Sequence, residues 1–212
     1  MSMVQTRTAK CIGKLSRMNK ALHHQQPDRV PVSDWFWGSF LKRWREELGL
    51  PAETDIYRYY DLNCVVTRPN RGPHIRPFKV LKETPNEIIV HTGFEAVVQQ
   101  IFDYIEVGID AYNPLEAKAG LDVVDLRRQY GHRLAFCGNM DVVAWSDGTH
   151  EELKRIALTK LNAAKGGGYI FQSDHSVPNS ISGQKYDYVV KLVREHGRYP
   201  LQLGAYDLPD LN

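Results

Sequence analysis

Short apolar runs in this chain repeatedly give way to polar residues that could do acid–base or ligand-binding chemistry. Tyr169-Ile170-Phe171 leads into Gln172-Ser173-Asp174-His175, and Leu134-Ala135-Phe136-Cys137 leads into Gly138-Asn139-Met140-Asp141. His175 is the sharpest candidate, because an imidazole titrates near neutrality and a neighbouring carboxylate such as Asp174 can raise its pKa and fix its tautomer. Asn139 and Asp141 could meet His175 across a shared mouth, although Asn-x-Asp is also good turn chemistry. Asn113 and Glu116 end the run before that. Glu116 could be a general acid or base or grip a cation; it could equally be a surface glutamate near Lys118. Asp34 with Trp35 and Trp37 offers one carboxylate beside an aromatic floor, which suits a flat or apolar ligand, although the same aromatics would serve as core. Arg68 and Arg71 could hold a substrate carboxylate between two guanidiniums. The catalytic candidates are thus His175, Asp174, Asp34 and Glu116. The substrate-binding candidates are Asn139, Asp141, Asn113, Trp35, Arg68 and Arg71.

These residues need elements to position them, and the stretch 133–179 shows how. The run at 134–137 is apolar and unalternating, as a strand covered on both faces should be. Thr149 and Glu152 make a capping box, after which Leu153, Ile156, Ala157, Leu161 and Ala164 form one helical stripe. Gly166-Gly167-Gly168 stops that helix and a second buried strand begins. This is a βαβ unit with its chemistry at the strand ends. Upstream, helices are expected over 15–26, 40–48, 56–60, 94–107 and 121–130, a hairpin over 78–83 and 87–92, and a last helix over 184–196. Five strands of the buried parallel type are expected, at 30–33, 62–67, 109–112, 134–137 and 168–172.

Composition narrows the classes. The chain has 212 residues, 42% of them hydrophobic and 25% charged, ordinary values for one globular domain with a substantial core. A net charge of +2 without a basic run interleaved with aromatics argues against a nucleic-acid partner. No stretch approaches the roughly 18 apolar residues of a membrane span. Residues 1–17 are basic without an apolar core and read as a flexible leader rather than a secretory signal, with the domain over 18–200 and a tail over 201–212. Cys11, Cys64 and Cys137 are odd in number and widely spaced, which fits a reduced, cytoplasmic setting.

The order of these pieces resembles the uroporphyrinogen decarboxylase family, which also holds cobamide-dependent methyltransferases. The matching segments are MNKALHHQQPDRVPV (18–32), GIDAYNPLEAKAGLDVVDLRRQYG (108–131), GNMD (138–141), GGGYIF (166–171), the His of SDHSVP (173–178) and YVVKLVREHGRY (188–199). The resemblance implies a closed (β/α)8 barrel, which needs eight strands and about 250 residues. Five strands make this an incomplete TIM-barrel-like α/β fold, with the family's central strands missing between 91–95 and 104–108. An open sheet exposes edges that a barrel hides, so the remnant would pack as an open sheet, fold poorly or form a homodimer.

The resemblance also implies a carboxy-lyase acting on a carboxylated small molecule without metal or organic cofactor. Losing carbon dioxide from an acetate side chain leaves a carbanion. A buried carboxylate that stabilises a protonated ring, with arginines gripping the other carboxylates, meets that need. The family's decarboxylases have a substrate-contacting His at the position of His175, an Arg-Gln-Ala-Gly-Arg segment after strand one and an Asp near strand two. This chain instead carries Asp34-Trp35-Phe36-Trp37-Gly38 after strand one, and Asp61 only precedes strand two. A porphyrinogen therefore competes with another carboxylated substrate. The methyltransferase branch holds zinc through His-x-Cys and a later Cys; no His-x-Cys occurs here. A corrinoid-linked methyltransferase relative and an inactive remnant acting as a binding module are the alternatives.

Overall fold

The computed structural model describes residues 8–64, 79–84, 87–91 and 109–209. Among them α1 spans Ala9–Leu22, α2 Gly38–Glu47 and α3 Ile56–Tyr59. A hairpin of β1 (Lys79–Thr84) and β2 (Glu87–His91) follows. The remainder alternates: β3 (Ala111–Leu115), α4 (Val123–Tyr130), β4 (Ala135–Met140), α5 (Val142–Asp147), α6 (His150–Leu161), β5 (Tyr169–Ser173) and α7 (Gly183–His196). β3, β4 and β5 form a parallel sheet in that order, with Phe136 opposite Tyr169 and Cys137 opposite Ile170.

Among the described residues the parallel sheet has three strands, where the sequence suggested five. Residues 30–33 do lie parallel to β5, through Ser33 N–H to Phe171 O at 3.1 Å and Phe171 N–H to Pro31 O at 3.0 Å. Pro31 has no N–H to give, however, so the contact stays an isolated bridge. Residues 62–64 sit on the other side of this segment without becoming a strand. There Asn63 closes on Val32 twice, its N–H donating to Val32 O at 2.8 Å and its Oδ1 accepting from Val32 N–H at 3.1 Å. A side chain does the work of a ladder rung and the strand pattern ends. The expected helix over 94–107 and residues 65–67 lie outside the described residues.

Both faces of the sheet are covered. Phe136, Tyr169 and Phe171 join the main core with residues of α4, α6 and α7, among them Val124, Leu153, Leu161 and Val190. Cys137 and Ile170 face the opposite way and pack with Ala21, Met18, Leu22 and Ala111. Small residues on that face let α1 lie against it. α1 begins at Ala9, so part of the stretch read as leader is helical. The capping box forms as expected: Thr149 N–H donates to Glu152 Oε2 at 2.7 Å, and Glu152 N–H to Thr149 Oγ1 at 3.3 Å. The separate short helix α5 was not legible, because Asp141 caps it directly at the end of β4.

The triple glycine has a second role beyond stopping α6. Gly166, Gly167 and Gly168 all have positive φ, at 76°, 89° and 78°. A Cβ on Gly167 would stand 2.7 Å from the backbone of Gln25, just past α1. The run is bare so that α1 can turn into the segment at 28–33 against it. Gly167→Ala is expected to destabilise by about 1–3 kcal/mol from the left-handed backbone alone, with the clash adding to it; urea unfolding measures this, and an unchanged midpoint would contradict it.

Candidate active site at the strand ends

β5 ends in Ser173 and Asp174, and two buried carboxylates are fixed there. Asp34, fully buried, accepts from Ser173 N–H at 3.0 Å and Ser173 Oγ–H at 2.5 Å through Oδ1. Its Oδ2 accepts from Tyr186 O–H at 2.9 Å. The Tyr186 ring stacks on Trp145 and meets Phe36, Phe40 and Tyr60 edge-on, so Asp34 sits against an aromatic core. Burial pushes its carboxyl up to about 7, against three hydrogen bonds that favour the charged form.

Asp174 ties all three strand ends together. Oδ1 accepts from Val142 N–H at 2.9 Å, the first turn of α5 after β4. Oδ2 accepts from Ala117 N–H at 3.0 Å, in the turn after β3. Burial holds its carboxyl above the usual range, although both amides pull the other way. Its carboxylate therefore serves backbone amides rather than the adjacent imidazole. Successive side chains of an extended segment point to opposite sides; Asp174 is buried and His175 is exposed. The His175 Nδ1 lies 3.0 Å from Ser176 Oγ, which in turn accepts from the Trp37 indole N–H at 2.6 Å.

Asn139 is likewise committed to the fold. Its Oδ1 accepts from Val123 N–H at 2.9 Å and Lys160 Nζ at 2.6 Å, while Nδ2 donates to Leu121 O at 2.8 Å and Leu115 O at 3.2 Å. Its φ of 79° is unusual within β4, and all its side-chain hydrogen-bonding capacity is used. Lys160 also pairs with Asp122 at 2.6 Å. Burial raises Asp122, but the Lys160 ammonium more than offsets this and holds it below its ordinary value. Asp141 caps α5, Oδ1 accepting from Val143 N–H at 2.8 Å. Asn113 is exposed on β3, and Glu116 is half-buried just beyond it. Arg68 and Arg71 lie outside the described residues.

Among the described residues, a cavity of about 380 Å³ is lined by Trp35, Phe36, Trp37 and Gly38. Trp37 is 49% exposed there and connects through Ser176 to His175. A second cavity of about 250 Å³ takes in Asn139, Asp141, Asp122 and Lys160 on the side of α6. Trp35 and Trp37 thus line one cavity, with His175 tied to it through Ser176, while Asn139 and Asp141 line another. Among the described residues no group of three His, Cys, Asp or Glu side chains is placed to hold a metal ion. Sequence reasoning missed Ser173, Ser176, Tyr186 and Lys160. Lys160 had a visible signal, since it falls on the same helical face as Leu153, Ala157, Leu161 and Ala164, where a lone charge needs a partner.

A βα-alternating chain whose polar groups collect at the carboxyl ends of parallel strands has the layout of barrel-type enzymes. The uroporphyrinogen decarboxylase (URO-D) family model matches residues 75–196, and the chain belongs to that family. A curated uroporphyrinogen decarboxylase from Shewanella loihica (strain ATCC BAA-1088 / PV-4) is 30% identical over 93 residues, covering 42% of this chain and 25% of that protein. The matched segment is thus a quarter of that relative's length. No helix among the described residues is long and apolar enough to cross a membrane.

Asp34 makes the pH dependence of stability testable. Its folded-state pKa is raised, so its contribution is fully present below the ordinary value of 3.8 and is lost as pH rises through about 7. His24 acts in the opposite sense: burial, with the charges of Arg127, His132 and His23, lowers it to about 4, so its contribution is lost as pH falls below 6.5. Asp34→Asn keeps a neutral acceptor and isolates the first effect. The stability of Asp34→Asn minus that of the parent is expected to rise between pH 4 and 8, by up to roughly 4 kcal/mol. A flat difference in urea-unfolding experiments would contradict it.

Proposed function

We propose that the chain is a uroporphyrinogen decarboxylase-like carboxy-lyase acting on a carboxylated small molecule in the Trp35–Gly38 cavity. What supports this is the hydrogen-bonded link from Trp37, which lines the cavity, through Ser176 to the exposed His175. Family membership supports the reaction class. The tryptophans supply a flat apolar floor for the ligand body. In the step itself the bond from the substrate carbon to its carboxylate breaks, and carbon dioxide leaves. The electron pair passes into the protonated ring of the substrate, and His175 delivers the proton that takes the place of the lost carboxylate. Arg68 and Arg71 grip carboxylates that are not lost. We assign Asn113, on β3, and Glu116, just after it, to a part of the ligand that extends beyond the cavity.

A second reading is favoured by one observation. Asp34 is sealed from solvent and Asp174 is spent on two backbone amides. Neither is placed to stabilise a cationic ring, which favours a module that holds a carboxylated ligand without turning it over. Anaerobic incubation with uroporphyrinogen, followed by chromatography of the products, separates the readings. Turnover is expected, and His175→Ala should reduce it by about 100-fold or more with the thermal midpoint unchanged. Saturable binding without turnover would establish the binding module. Neither binding nor turnover would contradict both readings.

A further inference from the structure

Lys10, Lys14 and Arg17 recur at four- and three-residue spacing, which places three cations on one face of α1. The fold gathers them at the amino-terminal ends of the segments whose other ends carry His175 and Trp37. Arg29 and Arg198 meet there through an antiparallel bridge, and Arg194 arrives from the last turn of α7. Among the described residues two carboxylates answer this charge. Asp61 Oδ1 takes Lys10 at 3.0 Å and Lys14 at 2.9 Å, and its Oδ2 takes Arg29 at 3.3 Å and Arg194 at 3.6 Å. Asp28 is held by Arg17 in a two-pronged contact at 2.7 and 2.8 Å. Arg198 is exposed and makes no ion pair among the described residues.

Five cations therefore share two carboxylates and Arg198 adds a sixth charge beside them, in a chain whose net charge is only +2. Arg17, Asp28, Arg29, Arg194 and Arg198 line a cavity of about 370 Å³. The Arg17 and Arg29 side chains are 12% and 15% exposed, so these charges are held in place rather than splayed into solvent. Burial, with the nearby Arg17 and Arg194, lowers the pKa of Arg29, against the pull of Asp61 and Asp28. Arginines that converge from three separate segments can each meet a different oxygen of a tetrahedral oxyanion. A planar carboxylate, with two oxygens, satisfies fewer of them.

We propose that this cavity is a binding site for a phosphate-bearing small molecule, with the phosphate gripped by Arg29, Arg194 and Arg198. It stands apart from the Trp35–Gly38 cavity and does not depend on the reaction assigned there. The test is calorimetric titration of the whole chain with pyrophosphate, inorganic phosphate and citrate, at ionic strength held constant with sodium chloride. Saturable binding is expected, tightest for pyrophosphate and weakest for citrate, with a rise in thermal midpoint that chloride does not reproduce. Arg198→Ala removes an exposed side chain without an ion pair and should fold normally while binding pyrophosphate about tenfold or more weakly. Arg194→Gln should do the same, and His175→Ala should leave this binding intact. Unchanged affinity in Arg198→Ala and Arg194→Gln, tighter binding of citrate than of pyrophosphate, or an equal response to chloride would overturn the proposal. Capture by vesicles containing a phosphatidylinositol phosphate without any binding of pyrophosphate would overturn the small-molecule assignment.

Discussion

Parallel strands that stop side by side leave peptide N–H groups at the turns that follow them, and burial makes each unpaired group cost about 1–3 kcal/mol. Asp174 answers this for the whole sheet. One carboxylate at the tip of β5 accepts from the turn after β3 and from the start of the helix after β4. Asp34 does the corresponding work between β5 and the segment before it, with Tyr186 anchoring the pair to the last helix. The strand ends are therefore held at fixed spacing by carboxylates that face inward. What the surface offers a ligand is whatever those carboxylates leave behind: an imidazole and an indole, joined through the buried Ser176 hydroxyl.

The same constraint explains why residues chosen for chemistry turn out to be so deeply engaged in structure. Asn139 uses both its oxygen and its amide nitrogen on loops around β4, and Lys160 is buried to complete the arrangement with Asp122. In a sheet of three strands each tip has few neighbours, and side chains must substitute for missing backbone partners. Asn63 shows this most plainly, its side-chain oxygen accepting from Val32 N–H where a longer strand would have supplied a backbone carbonyl. α1 meets a related demand by covering the face of Ala111, Cys137 and Ile170.

Much of this architecture was legible in the residues. Apolar runs at 134–137 and 168–172, the Thr149–Glu152 box and the helical stripe from Leu153 predict β4, α6 and β5 within a few residues, because local periodicity and capping decide them. The segments at 30–33 and 62–67 carry the same apolar composition, yet the described part of neither becomes a strand. Whether a run joins a ladder depends on what lies beside it, and Pro31 and Asn63 alter that pairing. Site residues were legible as types but not as directions. Asp174 next to His175 reads as a catalytic pair, and only the turn geometry shows one buried and the other exposed. Ser176 and Tyr186 carried no spacing signal, since their roles arise from contacts made across the fold.

We propose that the tied strand ends present a ligand-accepting surface around Trp37 and His175. Nitrogen-15-labelled protein titrated with uroporphyrin, an oxidised polycarboxylate that is not turned over, tests this through the indole N–H signals of its four tryptophans. The account predicts saturable shifts of the Trp37 indole, abolished by Trp37→Phe, while the buried indoles of Trp44 and Trp145 stay in place. Shifts of equal size at all four, or none at Trp37, would contradict it.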